Sequence, residues 1–324
     1  MLSLEHQENV ISNEKGGYFF WDAFMKGRTT MSSYTPVKNW TAQQTSEMQT
    51  VCQQNFKDVE SKSQLAESHG NIFFAKEHVQ WFTDPAAISN FLWGCESRAL
   101  SPVNITIPAS YDPVHRFSPN NLTIFPDRYL ETWRLTFLIR HPALAFPSFY
   151  RAMRELEKEE FAQPHEVGRL MELNATLRWT RLLYGWCCEH QRSDNGCDGA
   201  TGLPILLDAQ DVIHHPEVVV RYCELIGLNP AHVRVQWDAE SSQMGNHPLN
   251  GAHKSPDAVM KFTLANSSHI LKDKTPAVVD IALQRKRWDE EFGKTLGQQM
   301  ERWVREAMPD YDYLRSRRLQ VKDQ

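Results

Sequence analysis

The chain has 324 residues, with 35 Lys+Arg against 40 Asp+Glu and a formal net charge of −5. With 41% hydrophobic and 23% charged residues it holds enough apolar surface to offset chain entropy, which excludes disorder as its main state. The mild negative charge argues against nucleic acid or an anionic membrane as the main partner, while a few placed Arg and Lys suffice for a small anion.

No segment reaches the ~18 consecutive apolar residues of a membrane span. The first eight residues show no basic stretch followed by an apolar run, so no secretory signal is read there and the cytoplasm is the expected compartment. Six cysteines in a chain of this length are not a disulfide framework. Cys187, Cys188 and Cys197 with His190 lack the two-to-four-residue spacing of a zinc site, so no metal is expected.

In chain order, residues 40–68 predict an amphipathic helix with Met48, Val51, Cys52, Phe56 and Val59 inward, ended by Gly70. The apolar run from Asn71 to Ala75 predicts a buried strand, with Lys76-Glu77-His78 directly after it. Asp84-Pro85 opens a helix to about Trp93. Residues 96–130 carry five prolines and read as a long irregular connection, of a length that suits a functional or a disordered loop. Its Tyr111, Phe117, Phe125 and Tyr129 suit either ligand contacts or packing. Leu135 to Ile139 predicts a strand, broken by Arg140-His141-Pro142. A helix follows from Pro142 to Glu160, with Pro147 expected to kink or restart it.

Residues 166–191 predict one long helix, and Pro204 to Asp208 a third buried strand. Residues 216–228 predict an amphipathic helix stopped by Asn229-Pro230. A loop is expected over 238–260, one long helix over 276–308, and a tail over 309–324 in which Arg315–Arg318 form a solvated end. The tryptophans Trp133, Trp179, Trp186, Trp237, Trp288 and Trp303 read as core and rim packing.

Short apolar strands alternating with helices predict an α/β fold with three layers and a mostly parallel sheet covered on both faces, and the length suits one or two domains. Ligands of such sheets bind beyond the C-terminal strand ends. Those ends carry Lys76 and His78, then Arg140 with Ser148 eight residues on, then Asp208, Gln210 and Asp211. A strand-end Arg and a helix Ser suit a phosphate. Lys76 suits charge on a transferring group, and His78 suits removal of a hydroxyl proton. Taken singly, each also has a plain reading: Arg140 paired to a carboxylate, Ser148 an ordinary helix residue, Lys76 solvated, His78 one of 13 histidines. Glu77 reads as a surface carboxylate.

Together these segments resemble a known family. Thr136 to Pro142 followed by Ser148-Phe149-Tyr150-Arg151 is similar to the 3′-phosphate-binding segment of sulfotransferases that use 3′-phosphoadenosine-5′-phosphosulfate (PAPS). Phe74 to His78 is similar to that family's strand ending in Lys-x-His, and Leu206 to Asp211 with Pro216-Glu217 and Gly227-Leu228 to its third strand, acidic turn and helix. Gly16 to Phe20, Lys76 to His78, Ile139 to Pro142 and Met308 to Tyr311 match sulfotransferase-like proteins of filamentous fungi, over nearly the whole chain.

The resemblance implies a single domain of P-loop-type fold over 1–324, with 96–130 as a lid over the acceptor, and sulfuryl transfer from PAPS to a small hydroxylated acceptor, in specialised metabolism and without a metal. In it His78 is the base with Glu77 as the alternative, Lys76 stabilises the bridging oxygen, Arg140 with Ser148 holds the 3′-phosphate, and Ser267-Ser268 lies in a C-terminal loop that touches the nucleotide or nothing. Departures are expected too. The family's first central strand and its 5′-phosphosulfate loop have no counterpart, Met1 to Val10 resembling instead the end of the helix that follows that loop. Ala209 stands where some members place an aromatic residue. The chain therefore reads as N-terminally truncated, and a non-catalytic remnant or binding protein is the alternative. Oligomeric state is not indicated.

Overall fold

The computed structural model describes residues 1–14, 16–30, 35–94, 101–111, 114–190, 204–236, 256, 268–270, 272, 275, 276 and 278–320. The loop expected over 238–260 lies outside them except for Pro256, as do Cys95, Cys197, Trp237, Ser267 and parts of the 96–130 connection. The elements run β1 (Val10–Ile11), α1 (Trp21–Thr30), α2 (Ala42–Ser68), β2 (Ile72–Phe73), α3 (Pro85–Trp93), α4 (Asp127–Leu130), β3 (Thr136–Ile139), α5 (Pro142–Lys158) and α6 (Pro164–Asn174). They continue with α7 (Arg178–His190), β4 (Ile205–Asp208), α8 (Ala209–His214), α9 (Glu217–Ile226), α10 (Ile281–Phe292) and α11 (Lys294–Arg315). Among the described residues, no helix is long and apolar enough to cross a membrane.

Many boundaries follow local rules. Thr41 and Gln44 close a reciprocal capping box at the start of α2. Asp84 caps α3 through Ala86 N–H, and the α3 end turns on Gly94 at φ 67°. His141 Nδ1 accepts from Ala143 N–H at the start of α5, and α5 runs unbroken through Pro147.

Four expectations are corrected. Residues 1–11 are not a helix end: after a 3₁₀ turn, Val10–Ile11 forms a strand parallel to β2, in the register Val10↔Ile72 and Ile11↔Phe73. β-branched residues facing another apolar strand favour that pairing. The helix expected over 166–191 is two helices, because the Thr176 hydroxyl accepts from Arg178 N–H and restarts the chain as α7. The helix expected over 276–308 breaks at Gly293, whose φ of 85° leaves the helical region, and the second half passes Pro309. Residues 309–315 are therefore helix rather than tail: Tyr311 and Leu314 are buried, and that burial outweighs the one backbone bond Pro309 forfeits.

The strands form two separate pairs, β1–β2 and β3–β4, and among the described residues no ladder joins them into the single sheet expected. β1 and β2 offer only two ladder positions each, too few to carry a wide sheet. The chain divides into two compact units, where the sequence reading has one domain. The N-terminal unit takes Gln7–Phe137 and Glu172–Leu206; the C-terminal unit takes Met1–His6, Leu138–Met171 and Leu207–Gln324. Three of the four divisions fall inside β3, α6 and β4, and the fourth lies between His6 and Gln7, so no composition break marks them.

In the N-terminal unit Phe20, Phe56, Phe82, Phe125 and Tyr129 form an aromatic core. The segment from Val103 to Ile107 is packed down, with Val103, Ile105 and Ile107 buried. Gln49 and Gln53 on α2 each donate to and accept from its backbone, at Asn104 and Thr106. Buried Glu60 accepts from Tyr111 and Tyr129, both at 3.0 Å. Phe125 and Tyr129 are thus core residues. In the C-terminal unit α11 packs on α5 and α10, burying Met300, Val304, Ala307, Tyr311 and Leu314.

Candidate active site

In the N-terminal unit, Lys76, Glu77 and His78 leave β2 and meet the turn that precedes α1. Asn13 organises that turn: its Oδ1 accepts from Gly17 N–H at 2.9 Å and its Nδ2 donates to the Tyr18 carbonyl at 2.6 Å. Lys76 N–H donates to the Gly17 carbonyl at 2.9 Å. Gly17 sits at φ 93°, and a Cβ there would stand 3.1 Å from both the Lys76 Cβ and N, so glycine lets the two backbones close. Glu77 Oε1 accepts from Phe19 N–H and, at 3.0 Å, from Phe20 N–H, the two amides that lead into α1. Its Oε2 is buried without a hydrogen-bond partner. Burial raises the Glu77 pKa to about 7, against the pull of the two amides.

This clamp sets Tyr18 against the two residues expected to act. The Tyr18 ring stacks on His78 at 5.7 Å and 6°, and the Lys76 ammonium lies 5.0 Å from the centre of the same ring. Trp81 closes on His78 at 4.5 Å and on Tyr18 at 5.1 Å, backed by Trp21 and Phe24. His78 keeps an exposed edge between these rings. Desolvation by its neighbours, then the Lys76 charge, hold its pKa down to about 4, so it is neutral at pH 7 and able to accept a proton. Behind Trp81 lies a cavity of about 40 Å³, lined by Phe24, Trp40, Met48, Cys52, Trp81 and Ile88 among others. Trp81 did not stand out in the sequence. The run Gly16 to Phe20, with Tyr18 in it, did, but nothing local showed that it would meet Lys76 and His78, 56 to 62 positions downstream.

In the C-terminal unit, Arg140 follows β3 and Ser148 lies on α5. Arg140 is half-buried, and its Nε is buried without a hydrogen-bond partner. Burial, then the Arg151 charge, lower its pKa. Ser148 is exposed, and among the described residues no direct hydrogen bond joins it to Arg140. β4 ends differently. Asp208 is buried, with Oδ1 accepting from Gln210 N–H at 2.8 Å, Oδ2 accepting from Tyr311 at 2.7 Å, and Arg315 at 3.7 Å. Asp211 pairs with Arg318 at 2.5 Å, so two arginines expected to be solvated instead tie the chain end to α8 and β4. Of the clusters read at strand ends, that after β4 is a structural anchor. Ala209 opens α8. Among the described residues, no three His, Cys, Asp or Glu side chains are grouped to hold a metal.

Comparison with known proteins bears on these clusters. No family model and no solved structure matches the chain. Two curated fungal proteins do. The protein named Sulfotransferase ppzF of Metarhizium rileyi (strain RCEF 4871) is 34% identical over 326 residues, covering 99% of this chain and 92% of the relative. Its namesake from Metarhizium majus (strain ARSEF 297) is 34% identical over 325 residues with the same coverage. Likeness at this level over nearly the full length settles the family: the chain belongs to the fungal sulfotransferases.

Proposed function

We propose that the protein transfers the sulfuryl group of PAPS to the hydroxyl of a small-molecule acceptor. The observation that carries this reading is His78, held neutral at pH 7 between Tyr18 and Trp81 with Lys76 beside it. His78 accepts the proton of the acceptor hydroxyl, and the acceptor oxygen attacks sulfur. The bond from sulfur to the phosphate oxygen breaks, and adenosine 3′,5′-bisphosphate leaves with the electron pair. Lys76 neutralises charge on the bridging oxygen. Arg140 supplies a cation to the 3′-phosphate, with the Ser148 hydroxyl as a further donor. The aromatic walls around His78 favour an acceptor whose hydroxyl is carried on a ring or another apolar body. In the P-loop-type architecture of this reading, the cradle for the 5′-phosphosulfate is assigned to none of these residues.

The test is calorimetric titration with adenosine 3′,5′-bisphosphate, followed by turnover with PAPS and a panel of phenols and alcohols. Binding and transfer are expected, with transfer reduced about 10²–10⁴-fold in His78→Ala. A wild-type chain that binds no bisphosphate and transfers nothing overturns the reading. So does a His78→Ala chain with undiminished turnover.

A further inference from the structure

Three residues beyond Ser148 on α5 stands a second guanidinium, Arg151, one helical turn away and so on the same face. It is held from α10 in two ways. Glu291 takes it bidentately, Nε to Oε1 at 2.6 Å and Nη2 to Oε2 at 2.7 Å. The Phe292 ring lies 5.5 Å from its guanidinium carbon, with Tyr150 packed on the same ring at 5.0 Å. An arginine has five N–H donors, and Glu291 engages two of them. The remaining donors stay available on a side chain that is about half exposed, at 51%.

The charges near this face do not balance. The Arg151 charge adds to burial in lowering the Arg140 pKa, so the two cations sense one another. Glu291 answers Arg151, and among the described residues no carboxylate pairs with Arg140, whose buried Nε makes no hydrogen bond. A site with two guanidiniums and one carboxylate favours a bound anion.

We propose that Arg151 is the second cation of the nucleotide 3′-phosphate site, oriented by Glu291 and donating through the N–H groups that Glu291 leaves unused. This rests on the sulfotransferase reading of Arg140. Arg151 touches the phosphate and is a binding residue; Glu291 acts through it and is a positioning residue. Because the guanidinium is already fixed against Phe292, little side-chain entropy is lost when the phosphate arrives.

The test is the affinity of the full chain for adenosine 3′,5′-bisphosphate and for adenosine 5′-phosphate, which lacks the 3′ group. Arg151→Ala is expected to weaken the bisphosphate about 10–50-fold and to leave the monophosphate within about twofold. Arg151→Lys, keeping the charge without the fork, recovers part of the loss. Glu291→Gln keeps one acceptor for Arg151, removes a like charge from beside the phosphate, and does not weaken binding. Equal weakening by Arg151→Ala and Glu291→Gln overturns the proposal, since the pair would then be only a strut between α5 and α10. Arg151→Ala binding within twofold of wild type, while Arg140→Ala abolishes binding, also overturns it and leaves the functional reading standing. A wild-type chain without bisphosphate affinity, or one indifferent to Arg140→Ala, removes both.

Discussion

The ends of β3 and β4 carry opposite charges and opposite solutions to them. At the end of β4, Asp208 is 1% exposed and both its oxygens accept hydrogen bonds, from the α8 amide of Gln210 and the Tyr311 hydroxyl, with the Arg315 charge 3.7 Å away. At the end of β3, Arg140 is half-buried with an Nε that nothing engages. A buried ionic group without partners is costly, and a bound ligand is one way to supply the missing partner. The end of β4 is thus closed by α11, whereas among the described residues the end of β3 has no such partner, and in the reading proposed above a ligand phosphate supplies it. The end of β2 is open as well, but there the aromatic rings of Tyr18 and Trp81, rather than counter-charges, shape the space.

The contrast breaks most readily at its closed end. Asp208→Ala strips the partner from Tyr311 and Arg315 and uncaps α8, and is expected to cost about 3–5 kcal/mol of unfolding free energy, read from urea titration. Arg140→Ala is expected to do the reverse: unfolding free energy within about 0.5 kcal/mol of wild type, with bisphosphate affinity lowered about 100-fold, or about 2.7 kcal/mol. Should Arg140→Ala destabilise the chain as much as Asp208→Ala, both ends are structural and the contrast is lost.

The open end of β2 has a pH signature. Glu77 has a folded pKa of about 7 against an ordinary 4.5, so its contribution to stability is full below pH 4.5 and is lost as pH rises through 7. His78 runs the other way: with a folded pKa of about 4 against 6.5, its contribution is full above pH 6.5 and is lost as pH falls through 4. The two slopes oppose one another between about pH 4.5 and 6.5. Glu77→Gln keeps an acceptor for Phe19 and Phe20 and removes the buried charge. It is expected to raise unfolding free energy at pH 8 by about 1–2 kcal/mol and to expose the His78 slope as stability that climbs with pH. A Glu77→Gln chain with the wild-type pH profile shows that the carboxylate is hydrated rather than clamped. The smallest effect belongs to Ser148→Ala, about 3–10-fold in bisphosphate affinity, because one hydroxyl is lost from a site whose charge remains.

Much of this was legible locally. The caps at Thr41 and Asp84 bound their helices where the capping rules put them, and Met48, Cys52, Phe56 and Val59 are buried as their spacing predicts. Arg140 directly follows β3, whereas β2 ends at Phe73, short of the strand expected to Ala75, so Lys76 and His78 lie three and five residues beyond it. The misreadings share a cause. Thr176, Gly293 and Pro309 lie in runs of helix-compatible residues, and whether such a run breaks depends on what its faces bury. Pro309 is tolerated because Tyr311 and Leu314 are buried beyond it, whereas Gly293 meets no such constraint. The clamp on Tyr18 was not legible because it spans 58 residues from Phe19 to Glu77, nor was the Arg151–Glu291 pair, which spans 140.

The sequence by itself determined which residues end the strands, where most helices start, and the family resemblance, because caps, periodicity and strand-end chemistry act over a few neighbouring residues. Only the tertiary structure decided which of those ends is closed and which is open. That depends on whether a distant Tyr311, Glu291 or Tyr18 arrives to satisfy or crowd the charged group, and such arrivals are set by how whole elements pack, not by the residues beside it.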